Sequence, residues 1–178
     1  MKMRLQVRLR SFPPALAFLA IGLFISASAG RATIHYVPEQ HPTIQQGINA
    51  AGWGDTVLVN TGTYTENITL GNAEVDIVVA SYYLVTGNES YITATQIQSA
   101  AVGLPVVLIM GGQSTDTRLC GFTITGGMGE LGSGIRCIGS SPTIDHNHIL
   151  GNCTEQSGGG IYVESGGPNI AHNRIAEN

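Results

Sequence analysis

Lysine is almost missing from this chain: Lys2 is the only one among 178 residues. Charged residues make up 11% and aromatic residues 6%. Four arginines, Arg31, Arg118, Arg136 and Arg174, follow residue 30, and so do all 12 acidic residues. Residues 30–178 therefore carry a net charge of −8, four arginines against 12 acids with histidine neutral. Nucleic acids and anionic membranes are met by clustered Lys and Arg, so no nucleic-acid partner is expected. Neutral or cationic ligands and bound cations are electrostatically easier. Cysteine is scarce and odd in number: Cys120, Cys137 and Cys153. That excludes a disulfide scaffold and leaves at least one thiol unpaired within a monomer. The spacing fits no zinc motif, and it leaves a Cys137–Cys153 bridge open.

Long apolar runs are also lacking. The longest stretch, Ala15 to Ala27, is broken by Gly22 and Ser26 and falls short of the roughly 20 residues of a membrane span. Lys2, Arg4, Arg8 and Arg10 precede it, and Ala27-Ser28-Ala29 follows. Basic, apolar and small in that order is a Sec-type signal peptide. Residues 1–29 are expected to be cleaved before Gly30. The mature chain, residues 30–178, is expected to be one domain that is secreted, periplasmic or at the cell surface, with no membrane insertion.

What is abundant is glycine, 24 residues, with Thr, Ile and Val, a composition of short strands and tight turns. Internal repetition gives this an architecture. GIRCIGSSPTIDHNHILGN (134–152) lies over GIYVESGGPNIAHNRIAEN (160–178) at a constant offset of 26, with eight of 19 positions identical. A fainter copy, LCGFTITGG (119–127), meets IDHNHILGN (144–152) at an offset of 25. Such a period predicts a solenoid whose units bury their apolar faces only by stacking. Ile135, Cys137, Ile161 and Val163 alternate with Arg136, Ile138, Tyr162 and Glu164, so period 2 turns the first set inward. Asn147 and Asn173 sit between inward isoleucines, as expected of a bend with positive φ and of an Asn ladder along the stack.

Upstream, DTVLV, ENITL, VDIVVAS, ITATQIQ and VVLIM read as further strands of less regular coils. Residues 43–51 read as a helix, with Thr43 and Gln46 as a capping box and Ile44, Ile48 and Ala51 as its apolar stripe. A solenoid end exposes core and unpaired backbone, and this helix is suited to cap it. The fold class expected is all-β, a right-handed parallel β-helix with a short N-terminal capping helix. The sequence stops at the last residue of a repeat, which reads as the N-terminal part of a longer solenoid.

PTIQQGINAAGWGDTVLVNTGTYTENITL (42–70) resembles the opening of secreted right-handed β-helix proteins of the pectate-lyase-like superfamily. The GI…PTI.HN.I..N units resemble the parallel β-helix repeat of the same superfamily. That resemblance implies a fold that hosts lyases, pectinesterases, polygalacturonases and members without catalysis. It also implies a substrate groove on the sheet of each unit's first strand, and calcium in the lyases. None of these families' catalytic motifs maps onto this sequence, and no Asp-Asp or Glu-Glu pair occurs.

Two constellations remain. Arg136, Tyr162 and Glu164 share the outward face of the first strands, where an arginine fork, an aromatic platform and a carboxylate suit sugar recognition. Asp145, His146, His148 and His172 offer transition-metal ligands, His146 and His172 being aligned by the repeat. No motif demands a cofactor; a calcium or transition-metal ion is the group these residues could hold. The expected function is glycan binding or a structural role outside the cytoplasm, without catalysis in this segment. The alternatives are a polysaccharide lyase or hydrolase with catalytic residues beyond Asn178, and a periplasmic metal-handling protein.

Overall fold

The computed structural model describes residues 31–71 and 75–178. The expected signal peptide, residues 1–29, lies outside the described residues. Chain order begins with β1 (Ile34–Val37), α1 (Ile44–Ala50), β2 (Thr56–Val59), β3 (Gly62–Thr65) and β4 (Ile68–Leu70). It continues with β5 (Val78–Ser81), α2 (Tyr83–Thr86), α3 (Ser90–Ala94), β6 (Thr95–Gln98) and β7 (Val107–Met110). Next come β8 (Arg118–Cys120), β9 (Thr123–Thr125), β10 (Met128–Leu131), β11 (Ile135–Ile138) and β12 (Thr143–Asp145). The last are β13 (His148–Leu150), β14 (Cys153–Ser157), β15 (Ile161–Glu164), β16 (Asn169–Ala171) and β17 (Arg174–Ala176).

The class is all-β, built from parallel sheets. One sheet runs β1-β2-β5-β8-β12-β16, a second β17-β13-β9-β6-β3, a third β15-β11-β7-β4, and β10 pairs with β14 alone. The 26-residue offset of the sequence reappears as hydrogen-bonded register: Ile135 pairs with Ile161, Ile144 with Ile170 and Ile149 with Ile175. The 25-residue offset pairs Leu119 with Ile144 and Ile124 with Ile149.

Inward alternation makes the core. Ile68, Ile97, Ile109, Leu119, Ile124, Ile135, Cys137, Ile144 and Ile149 are buried in one apolar cluster. Their counterparts in the last described unit are not: Ile161 is half-buried, Val163 is 37% exposed and Ile170 41% exposed. Burial within a sheet core needs a neighbouring strand on both sides, and among the described strands these residues have one.

Two asparagine ladders bind the units. The Asn147 side-chain oxygen accepts from Phe122 N–H at 3.0 Å, and the Asn173 side-chain oxygen accepts from Asn147 N–H at 2.9 Å. One strand further on, Asn152 accepts from Gly127 N–H at 2.9 Å and Asn178 from Asn152 N–H at 3.0 Å. The bend itself differs from expectation. The residues with positive φ are His146 (53°) and His172 (55°), each one position before the Asn. The histidine takes the left-handed turn, and the asparagine is thereby left free to face inward and bond the neighbouring repeat.

Helix α1 is seven residues long, with Ile44 buried and Thr43 accepting from Gln46 N–H at 3.2 Å. The other N-terminal donors are satisfied from afar: Glu66 accepts from Ile44 N–H (2.9 Å) and Gln45 N–H (3.0 Å) through its two carboxylate oxygens. Gln45 in turn treats β4 as a neighbouring strand would. Its oxygen accepts from Thr69 N–H at 2.6 Å and its amide donates to Thr69 C=O at 3.2 Å. An edge strand's open backbone groups are thus met by one side chain. The segment ITATQIQ departs from the reading as a strand in its first half: Ile92, Thr93 and Ala94 belong to α3, where Ile92 is buried, and only Thr95–Gln98 is strand.

Candidate functional site

The third sheet presents an outward face to solvent. Cross-strand register places Thr69, Leu108, Arg136 and Tyr162 in one row and Met110, Ile138 and Glu164 in the next. The sequence-expected trio Arg136, Tyr162 and Glu164 therefore does share a face. The Arg136 guanidinium carbon lies 6.0 Å from the Tyr162 ring centre, and one Arg136 terminal nitrogen reaches Glu164 at 3.4 Å. Both contacts are at the outer edge of their ranges, so the guanidinium keeps donor capacity for another acceptor. The neighbouring turn makes the close packing here feasible. Gly132 adopts φ 63°, and a Cβ there would stand 2.8 Å from the Tyr162 Cβ and 3.0 Å from that of Arg136. Met110, 40% exposed, adds apolar surface to the same face. Beside it, Gln45, Asn49, Thr69 and Met110 line an open depression of about 510 Å³.

The second constellation is arranged differently from its sequence reading. Asp145 is buried and engaged: Arg118 donates to both its oxygens, at 2.7 and 2.5 Å, and His146 Nδ1 lies 2.8 Å from one of them. Burial pushes the Asp145 carboxyl upward, but the Arg118 and His146 hydrogen bonds outweigh it and hold the group below the usual carboxylate range. Cys120, opposite Asp145 in register on the neighbouring strand β8, joins it and His146 within 4.8 Å. This is the one three-residue group of metal-ligand type among the described residues. Burial, then the Asp145 charge, pushes the Cys120 thiol up to about 12. A protonated thiol and a carboxylate already clamped by arginine are poor ligands, so a structural role suits this group better.

His146 stacks on His172 with ring centres 4.9 Å apart, and Tyr83 covers its other face at 5.0 Å. Gly121 leaves room for Tyr83: a Cβ on Gly121 would come within 2.9 Å of the Tyr83 Cβ. His148 is not part of this stack. It lies in β13 opposite Arg174, and burial and the Arg174 charge lower its pKa. His146, His148 and His172 do line one cleft of about 420 Å³ together with Glu89 and Arg174. Sequence reasoning missed Arg118, Tyr83 and Glu89, which lie far from the histidines along the chain.

The three cysteines are all free, with Cys120 and Cys137 buried and Cys153 exposed. A thiol-labelling reagent at pH 8 should therefore modify Cys153 in the folded protein and spare the other two. Mass spectrometry of the labelled peptides checks this, and rapid modification of Cys120 would mean that its coil opens. Comparisons with protein-family models, with curated proteins and with solved structures find no match for this chain.

Proposed function

We propose that the parallel sheets are the faces of a right-handed β-helix related to the pectate-lyase-like superfamily, with α1 capping its first coil, and that the protein binds glycan outside the cytoplasm. Hydrogen-bonded registers at offsets of 25 and 26, the continuous Ile/Val core and the asparagine ladders support the helix. The edge of β4, covered by Gln45, supports the cap.

The observation that carries the binding role is the row Leu108–Arg136–Tyr162 on one exposed face. A tyrosine ring gives an apolar platform for a sugar, and the arginine beside it gives forked donors to hydroxyl or carboxylate oxygens. Successive coils are spaced by one strand separation, about 4.8 Å. A row of this kind follows an extended oligosaccharide rather than a compact ligand. Glycoside hydrolysis uses two carboxyl groups roughly 5–9.5 Å apart, and Glu164 is the one carboxylate in the two rows. Recognition without catalysis in this segment fits that composition.

The mature chain applied to an array of neutral and uronate oligosaccharides should bind an extended glycan weakly. Tyr162→Ala should weaken binding by about 1–2 kcal/mol, roughly ten- to thirtyfold. Absence of binding, or binding indifferent to Tyr162 and Arg136, would favour a structural spacer.

A further inference from the structure

We propose that His35 and His41 form a two-nitrogen site for a divalent transition-metal ion of the zinc class, with Asp55 as the positioning residue. The site is separate from the glycan face and from the histidine cleft, and it uses residues that the sequence pattern did not single out.

The geometry carries it. His35 Nδ1 and His41 Nε2 stand 3.2 Å apart, with ring centres 5.3 Å apart. At Zn–N distances near 2.05 Å and a tetrahedral angle, two ligating nitrogens are about 3.3 Å apart. The pair is therefore already spaced as one edge of a zinc tetrahedron. The remaining positions are left to water, since both rings are only partly buried.

The second nitrogen of His35 is committed elsewhere. His35 Nε2 lies 3.0 Å from an Asp55 oxygen. Asp55 also accepts from Thr33 N–H (2.7 Å) and Gly52 N–H (2.8 Å). Those two backbone bonds fix the carboxylate in place beside His35. An ionised carboxylate fixes the proton on His35 Nε2 and turns Nδ1 into a lone pair. This is the carboxylate–histidine–metal arrangement that orients a ligand and raises its basicity.

The chain around the pair is set before any metal arrives. His35 lies in β1, paired to β2. His41 N–H donates to Tyr36 C=O at 3.1 Å, Gln40 N–H to the same oxygen at 2.9 Å, and Tyr36 N–H to the Gln40 side chain at 3.0 Å. These bonds hold the turn without help from the imidazoles, so little chain entropy is lost on binding. In the neutral, metal-free pair, His41 Nε2–H donates to His35 Nδ1. On binding, His41 takes its other tautomer through solvent, with the proton on Nδ1. The net charge of −8 on residues 30–178 draws cations to the surface.

The test is calorimetric titration of the untagged mature chain with Zn²⁺ at pH 7.5. The expected result is one ion per chain, with affinity lowered at least tenfold in His35→Gln and in His41→Gln. Affinity should be unchanged in the double variant His146→Asn/His172→Asn, where asparagine tolerates the positive φ of both positions. Zn²⁺ should also raise the melting temperature of the wild type by mass action and leave that of His41→Gln unmoved. His41 lies in a turn held by backbone bonds, so its variant remains folded even where His35→Gln does not. Failure to bind Zn²⁺, binding that survives in His41→Gln, or binding lost in the His146/His172 variant would each overturn the proposal.

Discussion

Replacing Asn147 with alanine should lower the unfolding free energy by about 3 kcal/mol and the melting temperature by roughly 6–12 °C for a chain of this size. Asn147 is fully buried. Its oxygen accepts from Phe122 N–H, and its amide donates to Leu119 C=O and Asp145 C=O, both at 3.0 Å. Alanine leaves a buried donor and two buried carbonyls without these partners, each costing about 1–3 kcal/mol before relaxation. The equivalent change at Asn173 should cost less, about 1 kcal/mol. Asn173 accepts from Asn147 N–H at 2.9 Å and donates to Ile144 C=O at 2.7 Å, but it is half-buried, so water can replace part of what alanine removes. Thermal melts of both variants measure the contrast. Equal losses would mean that the ladder does not transmit between coils.

Arg118→Met should cost nearly as much, about 2–3 kcal/mol. The arginine side chain is 34% exposed, whereas that of Asp145 is 9% exposed. Removing the arginine therefore leaves a buried carboxylate with only His146 and the Cys120 thiol beside it, the costly half of breaking such a pair. The double variant Arg118→Met/Asp145→Asn should recover most of the loss, because the orphaned charge is gone; a double-mutant cycle gives the coupling. The pH dependence has a definite sign. The folded Asp145 carboxyl is held low, as are those of Asp55 and Asp76. Groups of this kind add stability that is fully present above the unfolded carboxylate value of about 3.9. That stability is lost as pH falls through the folded values. The difference between wild type and Arg118→Met should accordingly be largest near pH 7 and shrink below about pH 4. A difference independent of pH would mean that lost packing of the arginine stem, not charge, is responsible.

Much of the strand register was legible because a sequence repeat carries one offset through all its strands. Once Ile135 aligns with Ile161 in sequence, the same offset must serve every strand of the unit, and it does in β12–β16 and β13–β17. The adjacency of Arg136 and Tyr162 follows from the same rule. What the repeat could not show are contacts that break it. Glu66 and Gln45 reach across 21 to 24 residues to close a helix end and a strand edge. The short helix α2 lies between two segments that read as strands, α3 takes the first residues of the second, and together they bring Tyr83 and Glu89 to the histidines. Arg118 pairs with Asp145 diagonally across neighbouring strands, not with the residue its register opposes, Thr143. His146, not Asn147, bears the positive φ, because the inward asparagine is needed for the ladder. His35, His41 and Asp55 precede the clean repeat, where no second copy exists to make their pairing visible.

The most direct measurement of the proposed binding role is chemical-shift mapping. Amide spectra of isotopically labelled residues 30–178 would be recorded during titration with the best oligosaccharide from the array. The account predicts shifts running along Thr69, Leu108, Arg136 and Tyr162, in that spatial order across four strands, with the His146–His172 stack unmoved. Shifts concentrated at the histidine cleft, or scattered over the surface without following that row, would contradict it.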